Sequence, residues 1–172
     1  MALIFLRHTT PDVAEGVCYG MTDLALRGSF ESESLEVLGA LPKVTRVVSS
    51  PLSRCARLAE FLGSRLALTV SLDERLREMD FGRWEGQRWK EIERGELDLW
   101  AEDFMHARPH GGESVHQLRT RVCSAMDSYS ALTGDTLLVT HAGVIKAAFA
   151  TAEDADAFSG TTPFGGLRRW PP

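Results

Sequence analysis

Three short apolar stretches of β-strand type each lead into residues that can bind an anion or react with one. They cover residues 3–6, 44–48 and 136–140. The first is followed directly by Arg7 and His8, the second shortly afterwards by Arg54, and the third directly by His141. In open α/β sheets, ligands bind outside the carboxyl ends of the strands. If the three stretches are strands of one sheet, these side chains converge on one binding site.

The length and charge of the chain narrow the classes of partner. A chain of 172 residues can bury a proper core, and we expect one domain over residues 1–172. The net charge of −5 argues against a nucleic-acid partner. A local cluster of Arg and His in such a chain suits a small anionic ligand better than a polymer.

The cellular compartment is predicted from the absence of membrane-spanning, signal-peptide and disulfide patterns in the sequence. No apolar run is long enough to cross a membrane, so we expect no membrane partner. The first apolar run is too short for a signal peptide, and we expect a reducing cytoplasm. The scattered Cys18, Cys55 and Cys123 show no zinc-site or disulfide spacing. The sequence leaves the oligomeric state open, a homodimer included.

Strand-like and helix-like segments alternate along the chain, which predicts an α/β fold. We expect a three-layer sandwich in which helices flank a mostly parallel central sheet. Predicted strands cover residues 2–6, 44–48, 66–72, 136–140 and 164–170. Predicted helices cover residues 29–41, 51–63, 89–104 and 144–150, together with about 17 residues from Glu113 or Ser114.

Details of these helices follow from local signals. In the first helix, we expect Phe30, Leu35, Leu38 and Leu41 to point inward. The second helix is predicted to begin with Ser50 as its cap and Pro51 as its first residue, and to end at Gly63.

Two arginines and two histidines at strand ends are suited to phosphoryl transfer. Guanidinium groups match the geometry of phosphate oxygens. Arg7, Arg54 and His141 would supply positive charge around a phosphoryl group. A neutral His8 would be the nucleophile, because histidine is a known covalent catalyst.

Phosphoryl transfer also needs an acid that protonates the leaving oxygen and a base that activates water. Glu78 is the candidate, with Asp80 and Glu85 as rivals in the same loop. His106, His110 and His116 are scattered, and for His110 we expect a solvated position.

The residues that would line the substrate come from the segments beside Arg7, His8 and His141. Tyr19 and Gly20 belong to a glycine-bracketed loop that follows the first Arg-His pair. Thr9 and Ala142 directly follow the two histidines. We expect these residues to contact the substrate.

Taken together, these motifs resemble those of the histidine phosphatase superfamily, which has the phosphoglycerate-mutase-like fold. The matches are Leu-Arg-His-Thr at residues 6–9, Ser-Ser-Pro-Leu-x-Arg at 49–54, the Leu-x-Glu-x-x-Phe-Gly-x-Trp-Glu-Gly loop at 76–86, Gly-Glu-Ser at 112–114 and Val-x-His-x-Gly at 139–143. They occur in family order over nearly the whole chain. Thr9 and Ala142 depart from the family pattern, because glycine is usual at both positions.

This resemblance implies a phosphohistidine at His8, a phosphate pocket of Arg7, Arg54 and His141, and Glu78 as the proton donor. It implies no metal and no cofactor, and a small phosphorylated metabolite as substrate. Arg-His-Thr followed by residues 16–23 is most similar to α-ribazole phosphatases of the cobalamin pathway, which remove the 5′-phosphate of α-ribazole phosphate or of the cobalamin phosphate. A phosphoglycerate mutase or a broad-specificity phosphatase is the alternative. Residues 88–110 are a candidate helical lid.

Two interpretations from other classes stay open. A metal-dependent hydrolase could use His8, His141 and a carboxylate, although the neighbouring arginines would repel a cation. A binding module without catalysis would need neither His8 nor Glu78.

Overall fold

The computed structural model describes residues 1–171, which form a five-stranded sheet and flanking helices. The strands are β1 Leu3–Arg7, β2 Arg46–Ser49, β3 Val70–Leu72, β4 Thr136–Thr140 and β5 Leu167–Trp170. The α-helices are α1 Phe30–Ala40, α2 Ser53–Leu66, α3 Arg94–Glu102, α4 Val115–Ser130 and α5 Ala142–Phe149. None of the helices within residues 1–171 combines the length and the apolar character needed to cross a membrane.

The sheet is mostly parallel, as predicted. Its strand order is β3-β2-β4-β1-β5, and β5 alone among these strands runs antiparallel to its neighbour. In the register, Arg7 pairs with Thr140, and Ser49 pairs with Val139. The carboxyl ends of β1, β4 and β2 therefore lie side by side at one edge of the sheet.

Alternation of side chains along β1 divides the core between the two faces of the sheet. Leu3 and Phe5 pack into a cluster with the buried residues of α4 and α5. Ile4 and Leu6 pack into a second cluster with residues of α1 and α2. The sheet is thus the middle of three layers, and the predicted fold class is confirmed.

Helix α2 begins and ends later than its sequence signals indicate. It starts at Ser53 rather than Pro51, because Leu52 keeps an extended backbone. The Ser50 hydroxyl lies 2.8 Å from His141 Nε2 and accepts from the Leu52 N–H ahead of the helix. It continues past Gly63 to Leu66 and ends where Ala67 adopts φ +54°. Gly63 is a point of close packing, since a Cβ there would lie 2.7 Å from Val70 Cγ2.

Other elements differ from their predicted ranges or predicted buried positions. In α1 and at its C-cap, Phe30, Leu38 and Leu41 pack against the core as predicted, whereas Leu35 is 46% exposed. The most buried residues of this helix are Ser34 and Val37. The predicted strand over 66–72 is reduced to β3, and the edge strand over 164–170 to β5. The predicted helix over 89–104 is a 3₁₀ turn followed by α3.

Candidate active site

The carboxyl ends of the central strands bring the predicted catalytic residues together. Arg7 ends β1, and His8 follows it. His141 follows β4, and its ring centroid lies 5.2 Å from that of His8. Arg54 lies in the first turn of α2, shortly after β2. His8, Arg54 and His141 are each no more than 1% exposed, so they form a buried site whose positive charge belongs to its arginines.

His8 is held as a neutral ring with a fixed orientation. Its Nδ1 lies 2.7 Å from the carbonyl oxygen of Thr9, so Nδ1–H donates and Nε2 keeps its lone pair. Burial lowers the pKa of His8 to about 3, and the charge of Arg54 contributes more to this lowering than that of Arg7. The imidazole is therefore uncharged near neutral pH, as a nucleophile requires.

Both guanidinium groups are anchored to the backbone without an anionic partner. Arg54 donates to the carbonyls of Gly20 at 2.6 Å and Thr22 at 2.8 Å, and Arg7 donates to that of Thr162 at 2.7 Å. Neither arginine forms an ion pair within residues 1–171, and in each the buried Nε lacks a hydrogen-bond partner there. Since buried charge is costly unless it is paired, this arrangement suits a bound anion.

The ring of His141 is oriented by Ser50, which the sequence predicted only as a helix cap, and by Cys55. Its Nε2 lies 2.8 Å from Ser50 Oγ and 3.4 Å from Cys55 Sγ. Burial first, then His8 and Arg54, lowers the pKa of His141 well below its usual range. Burial also raises the pKa of Cys55, which stays a thiol and donates to the Thr140 carbonyl. Ser50 and Cys55 thus fix the ring rather than react.

Among the three rival carboxylates, the structure distinguishes Glu78. It is 8% exposed, and its two oxygens accept from the backbone N–H of Met79 at 2.9 Å and of Gly143 at 3.0 Å. Gly143 lies two residues after His141, so this contact ties the carboxyl to the histidine pair. A Cβ on Gly143 would collide with Glu78 Oε1, which explains the glycine.

Glu85 and Asp80 have other contacts. Glu85 accepts from the backbone N–H of Met21, Thr22 and Phe81, and holds two loops together. Burial opposes its ionisation, but these hydrogen bonds and that of the Thr22 hydroxyl outweigh burial and lower its pKa. Asp80 accepts from the N–H of Gly82 and borders a different cavity from Glu78.

The Glu78 loop is braced from behind by an ion pair that the sequence did not reveal. Arg121 of α4 forms two contacts with Glu113, at 2.6 and 2.8 Å. The same guanidinium donates to the carbonyls of Arg75, Arg77 and Glu78 at 2.7, 2.6 and 3.0 Å. Glu113 belongs to the Gly-Glu-Ser motif, and this brace gives that motif a physical role.

The four predicted substrate-binding residues all border the site. Thr9 is buried, and its Oγ1 has no partner within residues 1–171. The Tyr19 ring lies 5.3 Å from the Arg54 guanidinium, and burial raises its pKa. Gly20 passes so close to the Glu78 loop that a Cβ would collide with the Met79 carbonyl oxygen. Ala142 opens α5 and lines a cavity beside Glu78.

Phe164 is a further residue of the site that sequence reasoning placed in an edge strand. Its ring lies 3.8 Å from the Arg7 guanidinium carbon and 5.5 Å from the His8 ring. The side chain therefore covers the arginine and the histidine from the β5 side. No motif marks Phe164, because the loop that carries it is placed at the site by the antiparallel pairing of β5 with β1.

The cavity beside Glu78 has a volume of about 460 Å³. Residues of the 88–110 segment, Trp89, Trp100 and Phe104, form part of its wall. Whether this segment moves as a lid stays a prediction.

His110 differs from expectation. It is 1% exposed rather than solvated, and its Nδ1 accepts from the Gly112 N–H at 2.9 Å. Its ring centroid lies 4.8 Å from that of Trp84, inside an aromatic cluster. Burial lowers its pKa. Its role in this structure is packing and turn formation.

No group of three or more His, Cys, Asp or Glu side chains within residues 1–171 is arranged to hold a metal ion. His8 and His141 face two arginines instead of a third ligand. The chemistry of this donor set is that of an anion site.

Comparison with known proteins identifies a family match over most of the chain. The model of the histidine phosphatase superfamily (branch 1) matches residues 3–161. A glucosyl-3-phosphoglycerate phosphatase of Mycolicibacterium vanbaalenii is 32% identical over 164 residues, which cover 84% of this chain and 71% of that protein. Of two other curated mycobacterial relatives, the chain spans 52% of the length of one and 44% of the length of the other.

Solved structures resemble the fold over nearly its full length. A mycobacterial glucosyl-3-phosphoglycerate phosphatase superposes with a TM-score of 0.84 at 27% identity, covering 98% of this chain and 88% of that one. A phosphoglycerate mutase from Thermus thermophilus superposes with a TM-score of 0.80 at 32% identity, covering 99% and 94%.

Proposed function

Because the chain belongs to the histidine phosphatase superfamily, we propose that it hydrolyses a small phosphomonoester through a phosphohistidine on His8, without a metal. The family and the phosphatases among its relatives make the chain an enzyme of the phosphatase type. The observation that carries the proposal is the neutral, oriented His8 ring beside two arginines that have no anionic partner within residues 1–171.

In the first step, His8 Nε2 attacks phosphorus while the ester P–O bond breaks. The Thr9 carbonyl accepts from Nδ1–H and stabilises the positive charge that develops on the ring. Arg7, Arg54 and His141 stabilise the phosphoryl oxygens. The leaving oxygen takes the electron pair of the broken bond and a proton from Glu78.

In the second step, the Glu78 carboxylate takes a proton from water, whose oxygen attacks phosphorus. The N–P bond breaks, its electron pair returns to His8 Nε2, and inorganic phosphate leaves. Glu78 is suited to both steps because it borders both the histidine pair, through Gly143, and an open cavity.

For the substrate, we propose α-ribazole 5′-phosphate or the related cobalamin phosphate, on the strength of Arg-His-Thr and residues 16–23. The named relatives supply a second candidate, since two of them are glucosyl-3-phosphoglycerate phosphatases. A mutase is the third, given the resemblance to a phosphoglycerate mutase structure.

The test is phosphate release in EDTA from four compounds: α-ribazole 5′-phosphate, glucosyl-3-phosphoglycerate, 3-phosphoglycerate and an aryl phosphate. Preference for α-ribazole phosphate supports the full proposal. Preference for glucosyl-3-phosphoglycerate keeps the chemistry and replaces the substrate. Activity that EDTA abolishes and zinc or manganese restores contradicts the metal-free mechanism. Binding of all four without any release identifies a binding module.

A further inference from the structure

The position of Glu78 determines where the alcohol part of any substrate lies. The group that protonates the leaving oxygen must come within hydrogen-bond reach of it. Glu78, Ala142 and Gly143 all belong to the wall of the 460 Å³ cavity. A second cavity, of about 390 Å³, borders Tyr19 and Phe164 but not Glu78. Because only the first of these two cavities borders Glu78, we place the leaving alcohol there and call it the leaving-group cavity.

We infer that the leaving-group cavity is a specificity site for an alcohol that carries a flat ring and no second phosphate. This inference rests on the proposed phosphatase function and narrows its substrate class. It assigns a binding role to residues outside the Arg-His site, in the segment between Phe81 and Phe158.

Five of the fourteen residues that line the cavity are aromatic. Its rings are those of Phe81, Trp89, Trp100, Phe104 and Phe158. Trp89 and Trp100 lie nearly parallel, with an interplanar angle of 16° and centroids 6.4 Å apart. Faces of this kind pack well against a planar base or against the apolar face of a sugar. An acyclic alcohol would leave most of this surface uncovered.

Polar groups in the wall are few, and one of them lacks a hydrogen-bond partner. Trp100 Nε1 is buried and has no hydrogen-bond partner within residues 1–171. Such an indole N–H can donate to an acceptor on the edge of a ring-bearing ligand. A pocket of this composition, apolar with a few placed polar groups, is typical of small-molecule sites.

The charge of the wall argues against a second phosphate. Lys146 is the one basic side chain among the residues that line this cavity in the described chain. A single lysine beside five aromatic rings cannot replace the hydration of a phosphate dianion. The leaving-group cavity therefore disfavours the bisphosphorylated ligands that a mutase would handle.

A matched series of alkyl esters tests this inference on the wild-type enzyme. The compounds are 2-phenylethyl phosphate, n-butyl phosphate and butane-1,4-diol bisphosphate, whose leaving alcohols have similar acidity. We expect kcat/KM to be highest for the phenylethyl ester and lowest for the bisphosphate. Equal values for the phenylethyl and butyl esters, or a preferred bisphosphate, would overturn the inference.

Two variants test whether the preference for the phenylethyl ester arises in the leaving-group cavity. Phe104→Leu should lower kcat/KM for the phenylethyl ester about two- to twelvefold relative to that for the butyl ester, the range of an aromatic contact. Leu99→Ala is the control, because Leu99 is 57% exposed on the same segment and does not line the cavity. Equal loss for both esters in Phe104→Leu would contradict a ring-binding role. Absence of hydrolysis of every ester, an aryl phosphate included, would instead refute the proposed function itself.

Discussion

A histidine attacks phosphorus only while one ring nitrogen keeps its lone pair. In His8 that condition is met by the Thr9 carbonyl, which accepts from Nδ1–H, and by burial beside Arg54. The replacement of the family's usual glycine by Thr9 leaves this contact intact, because the contact uses the backbone. The other decisive residue is Gly143, whose missing side chain is what allows Glu78 to approach α5.

Gly143→Ala should impair the acid without unfolding the enzyme. The added Cβ would collide with Glu78 Oε1, so the carboxyl must turn away from the leaving oxygen. We expect kcat/KM for alkyl phosphates to fall about a hundredfold, within the usual contribution of a general acid. Aryl phosphates, whose leaving groups need little protonation, should lose far less. Glu78→Gln should give the same pattern.

The control for this prediction is Ala142→Gly, which restores the residue usual in the family next to the same contact. It should leave the ratio of alkyl to aryl turnover unchanged. If Gly143→Ala slows both ester classes equally, Asp80 or Glu85 becomes the better candidate for the acid.

At the scale of elements, the loop that carries Glu78 depends on helix α4. Arg121 joins Glu113 to the carbonyls of Arg75, Arg77 and Glu78, so a single guanidinium fixes several turns of irregular backbone. Since the loop has little regular structure of its own, its precision comes from this brace.

Arg121→Lys should loosen the loop while keeping the charge opposite Glu113. A lysine cannot supply the planar set of donors, so backbone carbonyls are left with fewer partners. We expect the free energy of unfolding to fall by about 1–3 kcal/mol, measured by urea denaturation. The loss of kcat/KM should be larger for alkyl than for aryl esters, as for a displaced Glu78.

Arg119→Lys provides the matched control two residues away on the same helix. Its contacts, at 3.3–3.4 Å, involve only the 150–153 segment. The change in stability should be below about 0.5 kcal/mol. An equal effect of both substitutions would show that Arg121 has no special role.

The elements differ in how well the sequence predicts them. Strands β1 and β4 and helix α4 carry strong local signals, and of the two predicted starts of α4 the structure selects Ser114, which forms a capping box with Gln117. Local signals misplace the start of α2, because Leu52 keeps an extended backbone and the Ser50 hydroxyl also contacts His141, 91 positions away in sequence. The burial of His110 likewise depends on aromatic residues from distant segments.

For the molecule as a whole, the parallel order of β2, β4 and β1 creates the site, because it brings three separate chain segments to one edge. This much could be predicted from Arg7, His8, Arg54 and His141. Phe164 and Arg121 could not, since each reaches the site through long-range packing that no motif encodes. Because the histidines of the site are buried, they resist protonation in the folded chain, and this lowers the stability of the protein in acid.

The stability of the protein should therefore decrease as the pH falls below about 6.5. His8 keeps a pKa of about 3 in the folded chain, whereas in the unfolded chain it binds a proton near pH 6.5. The unfolded state then holds more protons, and each such histidine lowers stability by about 1.4 kcal/mol per pH unit. His141 and His110, whose pKa values are also lowered, add to this slope.

Urea denaturation of the wild type and His8→Gln between about pH 6.5 and pH 5 measures this contribution. In the variant, the free energy of unfolding should depend on pH less steeply, by about 1.4 kcal/mol per pH unit, because one titrating group is missing. An unchanged slope would mean that His8 can be protonated in the folded state.

The most direct test of the central claim is a search for the phosphohistidine itself. The enzyme is mixed with an excess of radiolabelled substrate in EDTA, quenched with alkali within milliseconds, and digested for mass spectrometry. We expect a phosphoryl group on His8 that is stable in alkali and lost in acid, and none in His8→Ala, which should also lose turnover. Label on another residue, or hydrolysis by His8→Ala, would contradict it.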